Sequence, residues 1–203
     1  MSYSDFNLKQ VQKDFNLEII EKLGIFSKIK KSEISDYFMI TLEENIPLAV
    51  SINTEKAKSE LIISNVLIEV RKIFDRKISF FSGIEFNIDK EKGLNGYCDF
   101  MISLSSEQLF VKSPIIILVE AKNENMMGGL GQCIAEMVAA RMFNEKEGNN
   151  IPSVYGTVTT GIFWKFIKLT NNIVEIDLKD YSIEDNPERV IGILSSMMKQ
   201  KEN

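Results

Sequence analysis

The sequence predicts an α/β domain with a mixed central β-sheet flanked by helices. Three observations carry that prediction. A short aliphatic run, Ile115-Ile116-Ile117-Leu118-Val119, entered through Pro114, reads as a buried strand. Stretches near 54–75 and 130–146 repeat apolar residues at helical spacing. The element order from residue 54 is helix, three strands, helix, two strands. That order departs from the regular βαβ alternation of a doubly wound dinucleotide fold, and no G-x-G-x-x-G follows a strand.

From the N-terminus, Phe6, Val11, Phe15, Leu17, Ile19, Ile20 and Leu23 recur at roughly helical spacing over 5–23, with Gly24 as the stop. A second helix is expected over 33–45, closed by Pro47. Residues 1–50 thus read as a helical segment packed on a core formed by 51–203, and Lys28, Lys30 and Lys31 as a solvated loop. The helix over 54–75 is the clearest. Thr54 suits its N-cap, and Ile62, Ile63, Val66, Leu67, Val70, Ile73 and Phe74 form its apolar face. Alternation through Ile84, Phe86 and Ile88 marks a strand within 78–89. Gly93-Leu94-Asn95-Gly96 then turns the chain into a second strand, Tyr97–Leu104.

After the aliphatic strand come Gly128, Gly129 and Gly131, read as loop residues that let the backbone pass close to a site. The helix over 130–146 leaves little of its circumference polar and should be well buried. Arg141 lies on its apolar stripe and needs an internal ion pair or a phosphate. Two strands, 154–159 and 162–168, are joined at Thr160-Gly161, and a third covers 173–178. Trp164, Lys165 and Lys168 read either as core and cover or as a stacking, charged groove for nucleic acid. A last helix spans about 187–199, and the residues from Lys199 onward should fray.

Composition narrows the chemistry. There is no histidine, which removes Ser-His-Asp and Cys-His catalysis, His-dependent nucleases and His-carboxylate iron sites. Two cysteines, Cys98 and Cys133, can make neither a disulfide framework nor a four-cysteine zinc site, and read as small buried apolar groups. The formal net charge of −5 argues against broad coating of nucleic acid, though an acidic site balanced by cations is compatible with it. No apolar run reaches the roughly 18 residues that span a bilayer, and the start lacks a signal-peptide pattern, so a cytoplasmic location is expected.

The chemistry concentrates between residues 97 and 132. Side chains alternate along a strand, so Glu120 and Lys122 share one face and Ala121 takes the other. Asp99 should lie with Tyr97 and Met101, opposite Cys98, Phe100 and Ile102. Two carboxylates and an amine can then meet at neighbouring strand ends. Hard cations such as Mg²⁺ prefer such oxygens, and the Ala121 carbonyl offers another. Lys122 can hold an attacking water or offset charge building on phosphate oxygens.

Asp99, then Glu120-Ala121-Lys122 closing an apolar strand, then Gln132 on a helix, resembles the PD-(D/E)XK nuclease superfamily, in particular its small single-domain members. The resemblance spans roughly residues 54–170. It implies a restriction-endonuclease-like core and a Mg²⁺-dependent nuclease, Mn²⁺ being a natural substitute, acting on nucleic acid with DNA the first expectation. It also implies that Glu60, on the first core helix, helps hold the metal and that Gln132 orients water or phosphate. A homodimer would suit cleavage of both strands. Two other readings stand beside it: a catalytically silent nuclease-fold module for interaction or assembly, and a plain Glu120–Lys122 ion pair at a strand end.

Overall fold

The computed structural model describes residues 1–199, so the fraying expected beyond Lys199 lies outside the described residues. Eight strands build one open, mixed sheet: β1 (Glu18–Lys22), β2 (Ser79–Glu85), β3 (Tyr97–Ser103), β4 (Ile115–Ala121), β5 (Val154–Thr159), β6 (Phe163–Thr170), β7 (Ile173–Asp177) and β8 (Tyr181–Ser182). Their order is β1-β7-β6-β5-β4-β3-β2, with β8 also on β6. The β1–β7 and β4–β5 pairs are parallel and the rest antiparallel. Helices α1 (Leu8–Asp14) and α5 (Met126–Lys146) pack on one face. The other face is covered by α2 (Asp36–Ile52), by α6 (Pro187–Met197), and by α3 (Glu55–Lys58) running through a π turn (Ser59–Ile63) into α4 (Ser64–Ile73).

The aliphatic strand lies at the centre as expected. Ile115 through Val119 are all fully buried, Val119 and Ala121 toward α2 and α4, Leu118 toward α5. Burying each such side chain contributes about 1.5–3 kcal/mol, enough to make this strand the least negotiable element of the fold. On β3, Phe100 and Ile102 face the α4 side and Met101 the α5 side. Cys98 departs from the expected alternation and packs with Met101.

The N-terminal fifty residues are more than a helical cover. Only Leu8–Asp14 is helical in the first stretch; Asn16 turns the chain through φ 49°, and Glu18–Lys22 becomes β1 against β7. The helix α2 does not stop at Pro47 but continues to Ile52. Proline there forfeits one backbone hydrogen bond, while Ile46 and Ala49, on either side of it, are held in the core. Residue 50, where the N-terminal segment was expected to end, falls inside this helix.

The glycines after Lys122 also lie in a helix. Asn125 caps α5, its side chain accepting from the Gly128 N–H at 3.1 Å, so Gly128, Gly129 and Gly131 occupy the first turns. Gly131 is there because a Cβ would collide with the Phe6 carbonyl and the Asn7 backbone, which cross α5 at that point. Arg141 is tied to the β6–β7 turn through the Asn171 carbonyl and Asn172 Oδ1, and pairs with Glu145 at 3.7 Å. Its guanidinium serves structure, with protein acceptors in place of a phosphate.

Candidate functional site

The register of the sheet brings the chemistry together. Phe100 pairs with Val119, so one residue further along Asp99 stands opposite Glu120 at the C-terminal end of β4. The Ala121 N–H donates to Asp99 Oδ2 at 2.8 Å, which fixes that carboxylate at the strand end. Lys122 continues the chain, its own N–H donating to the Thr159 carbonyl of β5 at 2.9 Å. Its ammonium donates to Glu120 Oε1 and reaches Gln132 Oε1 on α5 at 3.5 Å. Asp99, Glu120, Lys122 and Gln132 thus gather at one place, with Ala121 between the two charged residues and its methyl turned to the opposite face.

Glu60 does not join them. Its side chain is 61% exposed and pairs with Lys56 at 2.8 Å, one turn away along the helix. The helix carboxylate whose charge reaches both Glu120 and Lys122 is Glu55, at the start of α3. The π turn between Glu55 and the well-packed part of the helix accounts for the difference. A π turn inserts extra backbone, so the wheel drawn from Ile62 to Phe74 loses phase upstream of it.

One participant was missed. Glu136, fully buried on α5, accepts from Gln132 Nε2 at 3.2 Å. The available signal was its place four residues after Gln132, on a helix otherwise apolar nearly all round.

The electrostatics are those of a crowded acidic pocket. Burial raises the Asp99 carboxyl above the usual range, against the pull of the Ala121 N–H and Lys122. Glu120 is 1% exposed, and burial followed by the negative charge of Asp99 pushes its carboxyl up to about 8. Glu136 lies well above the carboxylate range, through burial first and Glu120 second. Burial works to lower the Lys122 ammonium, but the charge and hydrogen bond of Glu120 prevail and the net direction is up. Two like charges 4 Å apart cost about 4 kcal/mol at an effective dielectric of 20. One ammonium cannot neutralise three carboxylates, so the pocket holds protons or attracts a cation.

Whether these groups suit a hard cation turns on the oxygens. Glu120 Oε2 is buried and without a hydrogen-bond partner, an acceptor left open beside Asp99. Among the described residues no three His, Cys, Asp or Glu side chains form a ready-made cage. Two carboxylates and a backbone carbonyl leave coordination positions for water, which Mg²⁺ retains and a fully caged ion does not. The donor set fits such an ion. On β2, Gly83 lies across from Asp99 and is exposed, and an added Cβ there would meet nothing within 4 Å.

Gly129 shapes the lysine. A Cβ there would stand 2.9 Å from Val158 Cγ1 and 3.1 Å from both Cγ and Cε of Lys122. Alanine gains about 1 kcal/mol of helix propensity over glycine, yet it would displace the lysine stem. Gly129→Ala is therefore expected to shift the Lys122 ammonium away from Glu120 while moving Tm by only a few degrees, measured by the Lys122 side-chain NMR signal beside thermal melts.

Other sequence candidates are structural. Trp164 is fully buried, its indole N–H on the Gly161 carbonyl at 2.9 Å, and Lys165 is buried against Asp180 at 2.6 Å, so neither lines a groove. Cys98 and Cys133 are buried free thiols, both raised by burial. A cavity of about 350 Å³ beside Arg141, Asn144 and Thr170 lies at the opposite, N-terminal end of β4 and β5. No helix among the described residues is long and apolar enough to cross a membrane. No family model and no curated protein matches the chain.

Proposed function

We propose that the protein is a metal-dependent nuclease that hydrolyses phosphodiester bonds, with DNA as the first candidate substrate. The observation that carries this reading is Lys122 clamped on Glu120 Oε1, beside Asp99, while Glu120 Oε2 stays buried and unpartnered. A divalent cation held by Asp99, Glu120 and the Ala121 carbonyl would supply charge neutralisation on the phosphate and a more acidic water. Lys122 holds its ammonium where negative charge grows as the phosphate is attacked, and a donor pre-aimed at that point needs no reorganisation. Glu120 and Gln132 restrict the lysine to one position between them. Asp99 is fixed by a backbone N–H rather than by a mobile side chain, so its carboxylate is placed by the sheet itself.

The test is a cleavage panel of plasmid, linear duplex, single-stranded DNA and RNA with Mg²⁺ and Mn²⁺, run beside Asp99→Ala. Cleavage by the wild type that the variant loses, with its fold intact, supports the reading. A wild type inert on every substrate, with no heat of Mn²⁺ binding that depends on Asp99, points instead to a silent module.

A further inference from the structure

We infer that Glu136 is a positioning residue: it fixes the orientation of the Gln132 amide and, through it, the place of the Lys122 ammonium. A glutamine side chain has a donor end and an acceptor end, and a half-turn exchanges them. Here the donor end meets Glu136 Oε1 at 3.2 Å and the acceptor end meets Lys122 Nζ at 3.5 Å. The reversed amide would set N–H against ammonium at Lys122 and would take from Glu136 Oε1 the N–H it now accepts. With the donor end held by Glu136, the acceptor end is left facing the lysine.

Packing alone does not account for a glutamate there. The side chain is fully buried on a helix whose neighbours Ala135, Met137 and Val138 are also buried and apolar. Its second oxygen, Oε2, has no hydrogen-bond partner. A buried carboxyl with an open oxygen costs free energy that an apolar residue would not. What Glu136 supplies in return is one acceptor at one position. Gln132 consequently spends both ends inside the protein. In these two contacts its part is to hold the lysine.

The kinetic consequence rests on the nuclease reading, whereas the geometric one does not, so the experiment reads both. The protein carrying ¹⁵N-labelled glutamine is compared with Glu136→Leu and Glu136→Gln for exchange of the Gln132 side-chain amide protons, and for kcat and KM on the cleaved substrate with Mg²⁺. Glu136→Leu removes the acceptor; exchange should quicken about tenfold and kcat fall about tenfold, with KM within about twofold. Glu136→Gln retains a carbonyl acceptor and should recover most of both losses. Unchanged exchange in Glu136→Leu overturns the inference, as does a Glu136→Gln protein that exchanges as fast as the leucine variant. If Glu136→Leu does not fold, protection in Glu136→Gln decides alone, retained protection supporting the inference and lost protection overturning it. A wild type that cleaves nothing while Gln132 protection still follows Glu136 ends the nuclease reading and supports the clamp.

Discussion

Glu120→Gln is expected to abolish cleavage, flatten the fall of stability with pH, and remove stabilisation by Mg²⁺. The sign follows from where the proton sits. The Glu120 carboxyl rises from an ordinary 4.5 to about 8 on folding, because it is buried and faces Asp99. Between those values the unfolded chain has released a proton that the folded chain keeps, so stability falls as pH rises from about 4.5 to about 8. At about 1.4 kcal/mol per unit, the full window is worth roughly 5 kcal/mol. Glutamine keeps the shape and removes the titration. Asp99 and Glu136 shift in the same direction, and Glu136 does so partly through the charge of Glu120, so the difference between the two melting curves reports Glu120 together with its coupling to them. A cation competes with the proton for the carboxylates. Its effect on Tm should therefore be small near pH 6 and large near pH 8.5 in the wild type, and absent from the variant. Thermal melts across that range with and without Mg²⁺ provide the measurement. An equal Mg²⁺ shift in both proteins would remove Glu120 from the cation site.

What could be read from the chain was whatever repeats locally. Ile115–Val119 announced a buried strand because five aliphatic residues in a row, entered through a proline, have few other uses, and all five are fully buried. Thr54 announced its helix because a threonine oxygen can meet an N–H three residues on, as it does with Ala57 at 3.1 Å. Glu120 and Lys122 could be placed on one face, with Ala121 on the other, because side chains alternate along a regular strand. The strand β1 was illegible for the opposite reason. Its partner β7 lies about 155 residues away, as in the Glu18–Ile173 pair, and no local period records a parallel partner at that distance. Leu17, Ile19 and Ile20 fitted a helical template equally well. The outward place of Glu60 could not be read either, because the π turn that contains it leaves no pattern in residue types. The glycines of α5 carried a true signal of close approach. What approaches is the Lys122 stem at Gly129 and the backbone of Phe6 and Asn7 at Gly131. Only the folded chain brings those partners into view.

Lys122→Met is the substitution that separates a catalytic lysine from an ion-pair partner, since it keeps the apolar stem beside Gly129 and removes only the charge. Two effects are expected, with different remedies. Without the ammonium, Glu120 Oε1 joins Oε2 as a buried oxygen lacking a partner. Breaking a buried pair from one side costs about 3–5 kcal/mol when the remaining charge must persist. Removing Lys122 raises the Glu120 carboxyl further above its value of about 8, so it can keep a proton instead, and the loss of stability should be modest at pH 6 and grow only above about pH 8. A divalent cation supplies positive charge in the same pocket, so Mg²⁺ should raise the variant's Tm at pH 8.5 by more than it raises the wild type's. Cleavage should not return with it. A fixed donor facing a developing negative charge contributes about 10²–10³ in rate, and a cation bound on the other side of Glu120 cannot replace it there. The expected result is a protein restored in stability by Mg²⁺ yet at least about 100-fold slower in cleavage at saturating metal. Recovery of both together would reduce Lys122 to a structural counter-charge, because charge alone, wherever placed, would then suffice.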